Sequence, residues 1–118
     1  MKPKSIRDKG KKGEREIAEL LTKLSGVKFR RVPMSGGIHQ DFPFDIMAVG
    51  REANRFSGVG NEVKNTANLK IPEWIKQIEV ACEDAGYIPN FAKWFIAFRH
   101  KGKWLFLLNQ NYFEHLNK

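Results

Sequence analysis

Cysteine is nearly absent from this chain, which contains a single one, Cys82, among 118 residues. One thiol cannot form a disulfide within the chain, and a zinc site built from several cysteines needs more of them. A lone cysteine is typical of proteins that work in a reducing compartment. We therefore expect an intracellular, cytoplasmic protein.

Long hydrophobic runs are also missing, although 42% of the residues are hydrophobic. No stretch approaches the ~18 apolar residues that a membrane span needs. The start of the chain is basic but no apolar segment follows it, so no signal peptide is expected. We predict no membrane partner and a single domain over residues 1–118, because this length suits one domain with its own core.

Acidic residues are outnumbered by basic ones, 13 to 21, which gives a formal net charge of +8. The imbalance lies at the start, where residues 1–31 contain eleven Lys or Arg against four Asp or Glu. A basic surface of this size favours a polyanionic partner, most often nucleic acid. Lys9, Lys11 and Lys12 are the densest part of it, so we expect them to contact phosphates.

Hydrophobic periodicity predicts the secondary structure. A loose basic arm over residues 1–12 leads into a helix whose apolar stripe is Ile17, Leu20, Leu21 and Leu24, ended by Gly26. Strands are predicted over residues 27–32, 45–50, 59–64, 91–98 and 104–108, with a second helix from residue 71 and a short one over 111–116. The order α-β-β-β-α-β-β predicts an α/β fold with a central mixed five-stranded sheet flanked by helices.

Acidic residues on two of these strands suggest a metal site. Residues two apart share one face of a strand, so Glu62 and Lys64 lie on the same side and Val63 on the other. Asp45 begins the neighbouring strand, and antiparallel pairing would bring it close to Glu62. Two adjacent carboxylates repel unless a cation lies between them, and their hard oxygens suit Mg²⁺, with Mn²⁺ as a substitute. Such an ion polarises a phosphodiester and activates water, while Lys64 stabilises the developing charge.

A third carboxylate belongs to the first helix. Glu14 lies roughly 70° from the centre of the apolar stripe at about 100° per residue, so it can lean toward the sheet. Simpler interpretations exist: Glu-x-Lys occurs in many exposed strands, and the helix dipole favours a glutamate in a first turn. A non-catalytic nucleic-acid-binding domain would need only the basic face.

Three segments in order, "KGKKGEREIAELL", "RRVPMSGGIHQDFPFDIMAV" and "NEVK", resemble the PD-(D/E)XK nuclease superfamily. Their spacing, over about residues 9–80, is most similar to that of the archaeal-type Holliday junction resolvases. The resemblance implies a restriction-endonuclease-like core, a magnesium cofactor and a homodimer. Its members cut four-way DNA junctions in recombination and repair. A general DNA endonuclease of the same superfamily is the alternative.

The resemblance also implies roles for individual residues. Glu14, Asp45 and Glu62 match the metal ligands, Lys64 the catalytic lysine and Ser35 the loop serine near the scissile phosphate. Candidate phosphate contacts are Arg15, Arg30 and Arg31. Phe44 stands where the family has a proline before the aspartate, with Pro43 one residue earlier, so Asp41 is the alternative ligand. His39 is interpreted as a loop histidine, with a ligand or general base as the alternative. Gln77 is interpreted as a surface residue at the edge of the second helix, where some relatives in the superfamily have a glutamine or lysine near the site.

Overall fold

A computed structural model describes the backbone of residues 3–33 and 42–118, and the side chains from residue 8 onward within these ranges. Ser35, His39 and Asp41 therefore lie outside the described residues. The elements in chain order are α1 (Pro3–Ser25), β1 (Phe29–Arg31), β2 (Ile46–Ala48), β3 (Val59–Lys64), α2 (Ile71–Asp84), β4 (Lys93–His100), β5 (Lys103–Leu108) and α3 (Gln110–Leu116). The α/β class is confirmed.

Helix α1 is longer than the sequence predicts. It begins at Pro3, so the expectation of a loose arm before it is wrong for residues 3–12, which are helical. Proline suits a first helical position, where its missing N–H has no partner, and the lysines that follow favour helix. Gly26 ends the helix as predicted: its φ is +79° and its N–H donates to Thr22 O at 2.9 Å. No helix of the described residues has the length and apolar character needed to cross a bilayer.

The five strands form two sheets, so the prediction of one five-stranded sheet is wrong. β1 and β2 pair antiparallel, while β3 pairs parallel with β4 and β4 pairs antiparallel with β5. β2 and β3 are linked instead by Asn61, a buried side chain on β3. Its Oδ1 accepts from Ile46 N at 2.8 Å and its Nδ2 donates to Ile46 O at 2.9 Å. A side-chain amide thus takes the place of a backbone ladder between β2 and β3.

Strand β4 is the centre of the molecule because both of its faces are buried. Phe95 and Ala97 pack in one core with α1, whereas Trp94, Ile96 and Phe98 pack in a second core with α2. Alternate residues of a strand point to opposite faces, so the continuous apolar run of β4 separates two helical layers. The candidate site residues Asp45, Glu62 and Lys64 lie on or beside β3, the neighbour of β4.

Helix α1 approaches β3 very closely at Gly13. A Cβ added there would lie 2.9 Å from Asn65 Cβ and 3.1 Å from the Trp104 ring. Glycine is therefore required for this approach. The close approach sets Glu14, the next residue, near the end of β3.

Candidate active site

Asp45 lies against the backbone of β3. It immediately precedes β2, and its Oδ2 accepts a hydrogen bond from Val63 N at 2.7 Å. The Asn61 amide, bonded to Ile46, holds the next residue of the same segment. Asp45 is thereby placed beside the backbone between Glu62 and Lys64, the two polar residues that the sequence assigns to one strand face.

Burial and mutual repulsion both act on Asp45 and Glu62. Burial raises the pKa of Asp45 well above its ordinary value, the charges of Glu62 and Glu14 raise it further, and the Val63 N–H opposes them. Burial likewise raises the pKa of Glu62, against the opposing effect of Lys64. The two carboxyl groups therefore favour sharing a proton or a cation over carrying two negative charges.

Glu14 reaches this region from α1 but is paired with an arginine. Its Oε1 lies 3.0 Å from Arg31 Nε, and the side chains are only 13% and 20% exposed, respectively. Burial raises the pKa of Glu14, and the hydrogen bond and charge of Arg31 oppose that rise. Arg31, a predicted phosphate contact, thus balances the charge of a predicted metal ligand in this structure.

Lys64 is held between two oxygen atoms. Its Nζ lies 3.2 Å from Glu62 Oε1 and donates to Gln77 Oε1 at 2.8 Å. Gln77 is exposed, as the sequence predicts, and its contact with Lys64 places it at the edge of the candidate site, which is the alternative that the resemblance offered. Its neighbour on α2, Ile78, is fully buried and turns this side of the helix toward the sheet.

In a nuclease of the superfamily that the sequence resembles, replacing Gln77 with leucine is expected to lower kcat for DNA cleavage about 10-fold while KM stays unchanged, because Lys64 loses one of the two oxygens that fix its position. Gln77→Glu, which keeps the oxygen acceptor, should restore most of the activity. Gln110→Leu is the matched control, because Gln110 is an exposed glutamine on α3 that contacts Glu114. Equal kcat values for Gln77→Leu and Gln110→Leu would show that the contact does not position the lysine.

The acidic residues are of the type that binds a divalent cation, but they are not already grouped into a complete site. Within residues 3–33 and 42–118, no three His, Cys, Asp or Glu side chains are grouped closely enough to hold a metal ion. Asp45 and Glu62 nevertheless offer partly buried, hard oxygen atoms whose repulsion a cation such as Mg²⁺ would relieve. They are the residues that could hold it, and Glu14 could join them if it left Arg31.

Several basic residues are exposed on α1 and β1. Lys9, Lys11, Lys12 and Arg15 are exposed on α1, and Arg30 is exposed on β1. Lys11 is close enough to Glu14 for its charge to oppose the rise in the pKa of that carboxyl. The structure thus puts predicted phosphate contacts on the two elements that also carry Glu14 and Arg31.

A comparison with protein families agrees with the resemblance to the PD-(D/E)XK nuclease superfamily. The model of a family described as "Phage putative PDDEXK endonuclease" matches residues 5–118. Curated proteins gave no match, and neither did solved structures. Since the family match spans nearly the whole sequence, the chain belongs to the phage putative PDDEXK endonuclease family and thus to the PD-(D/E)XK nuclease superfamily.

Proposed function

We propose that the protein is a metal-dependent endonuclease that hydrolyses DNA phosphodiesters at Asp45, Glu62 and Lys64. The observation that carries the proposal is the 2.7 Å bond from Val63 N to Asp45 Oδ2, which fixes one partly buried carboxylate beside another and beside a lysine. A pure DNA-binding domain gains nothing from this arrangement. Partly buried carboxylates that repel each other cost stability, and negative charge weakens phosphate binding.

Each residue of the proposed site has a distinct role in the reaction. Asp45 and Glu62 would hold Mg²⁺, or Mn²⁺ in its place, and Glu14 would complete the set. The ion, when bound, polarises the phosphate and lowers the pKa of a coordinated water. Lys64, oriented by Glu62 and Gln77, donates a hydrogen bond to the phosphate oxygen that gains charge. Ser35 is proposed to lie near the scissile phosphate, as in the resolvases that the sequence resembles.

The preferred substrate is proposed to be a four-way DNA junction, cut by a homodimer during recombination or repair. A two-fold dimer presents two sites to a two-fold substrate and so makes paired, symmetric nicks. Strand β5 supports a second copy as partner: it ends its sheet, and Leu105 and Phe106 are 41% and 45% exposed. Hydrophobic edge strands are natural pairing surfaces. A general DNA endonuclease of the superfamily is the alternative.

The test compares a labelled four-way junction with a linear duplex of the same sequence, with Mg²⁺, with Mn²⁺ and with chelator. Paired nicks in the junction alone, lost in chelator, would establish the resolvase activity. Equal cleavage of both substrates would establish the general endonuclease. Tight, salt-sensitive binding without cleavage in either metal would overturn both in favour of a binding domain. Light scattering on the same samples should give twice the chain mass of 13.6 kDa.

A further inference from the structure

A second basic feature lies beyond the end of β3. A cavity of about 220 Å³ opens between α1, the residues that follow β3 and the tip of the β4–β5 hairpin. Its polar lining consists of Lys9, Asn65, Thr66, Arg99, His100 and Lys101. No acidic side chain lines it in the part of the chain that the structure describes. A water molecule occupies about 30 Å³ in the liquid, so the cavity has room for a phosphate group and several waters.

Two of the lining cations are available to a ligand. Lys9 and Lys101 are exposed, and among the described residues neither forms an ion pair. Arg99 differs, because its Nη1 lies 3.0 Å from Glu16 Oε1 and its guanidinium stacks 5.4 Å from the centre of the Trp104 ring. Lys9 and Lys101 therefore supply the net positive charge, whereas the charge of Arg99 is balanced by Glu16 and its side chain is held in place by these contacts.

The cavity walls are fixed by specific contacts. Asn65 is 9% exposed, and its Nδ2 donates to Lys9 O at 2.9 Å, which ties the segment after β3 to α1. The hairpin tip consists of Lys101 and Gly102, with φ values of 52° and 78°. A lysine in the left-handed region is uncommon, and the tight turn that requires it fixes where its side chain leaves the backbone.

We infer that this cavity is a second phosphate-binding site, which takes the DNA strand next to the phosphate at Lys64. The inference rests on the proposed function, because it extends the DNA path from the active site. Asn65 and Thr66 directly follow Lys64, so the cavity continues the same chain segment. Lys9 and Lys101 neutralise the phosphate, and His100 offers a polar group beside it, whereas the Thr66 hydroxyl donates to Asn68 O at 3.0 Å. The β4–β5 hairpin thereby acquires a substrate-binding role.

The test measures the salt dependence of DNA binding in chelator, where no cleavage occurs, by fluorescence anisotropy with a labelled duplex. Lys101→Gln and Lys9→Gln should each lower the slope of log affinity against log salt by about 0.9, because each lysine neutralises one phosphate. Glutamine removes the charge at position 101 but keeps a long polar side chain. At position 9 it leaves the backbone carbonyl free to accept the hydrogen bond from Asn65. Lys23→Gln is the control, an exposed lysine about 21 Å along the same helix from Lys9.

The outcome separates the cavity from the proposed reaction. If the wild type cleaves DNA but Lys101→Gln and Lys23→Gln give the same salt slope, the cavity does not bind phosphate and the proposed endonuclease stands. If Lys101→Gln has a reduced slope but the wild type cleaves no DNA with Mg²⁺ or Mn²⁺, the phosphate-binding cavity is supported and the proposed endonuclease is overturned. Where the wild type cleaves, Lys101→Gln should raise KM at unchanged kcat. Thermal melting confirms that each variant is folded.

Discussion

Asp45→Asn is expected to abolish DNA cleavage, by on the order of 10³-fold, and at the same time to raise the melting temperature in chelator at neutral pH. The loss follows because the variant removes a charged oxygen from the proposed metal site, and a bound metal ion contributes several kcal/mol to the transition state. The gain follows because the wild type buries this carboxylate beside Glu62. The asparagine Oδ1 can still accept the bond from Val63 N.

The direction of the pH dependence follows from the raised pKa of Asp45. In the unfolded chain this carboxyl has an ordinary pKa of about 4. Above that pH the unfolded chain releases the proton that the folded protein still holds. The free energy of unfolding therefore falls as pH rises from about 4 through the folded pKa of Asp45. Asp45→Asn should flatten this fall, and Glu62, whose pKa is also raised, should leave a smaller one in the same direction.

Thermal melts between pH 4 and 8 in chelator, followed by a Mg²⁺ titration, check this prediction without any cleavage assay. Mg²⁺ should raise the melting temperature of the wild type and leave that of Asp45→Asn nearly unchanged. Asp84→Asn is the matched control, since Asp84 is exposed at the end of α2 and should behave as the wild type. A lower melting temperature for Asp45→Asn than for Asp84→Asn at neutral pH in chelator would show that the partly buried carboxylate is not destabilising.

Asn61→Leu is expected to lower the free energy of unfolding by about 2–6 kcal/mol and to abolish cleavage as well. The variant keeps the size of the side chain but leaves the N–H and C=O of Ile46 buried without partners, at about 1–3 kcal/mol each. Asp45, next to Ile46, then loses the neighbour that holds it against β3. Stability and cleavage are expected to be lost together, because the Asn61 amide both bonds to Ile46 and holds the adjacent Asp45 in place.

Urea denaturation of the variants measures this cost. Asn117→Leu is the control, since Asn117 is exposed at the end of α3 and its side chain bonds only within that turn among the described residues. Surface substitutions of this kind usually change stability by less than about 0.5 kcal/mol. If Asn61→Leu unfolds at the same urea concentration as Asn117→Leu, the amide does not join the two sheets in the way described.

The sequence by itself determined the features that depend on neighbouring residues. The strand over residues 59–64 has the predicted bounds, because alternation along six residues is a local property. Gly26 ends α1 as predicted, since its positive φ favours glycine wherever it occurs. The order of the acidic and basic motifs was enough to indicate the PD-(D/E)XK superfamily, and the family match agrees at that level.

Only the tertiary structure decided how these elements meet. No local pattern indicates that the Asn61 side chain bonds to Ile46, 15 residues away, and so joins the two sheets in place of a backbone ladder. The contact from Lys64 to Gln77 and the cavity between Lys9 and Lys101 depend on segments far apart in the chain. Hydrophobic periodicity reports which face of an element is buried, but not which distant polar group lies opposite it. For that reason the sequence supplied the reactive residues, and the fold supplied their partners.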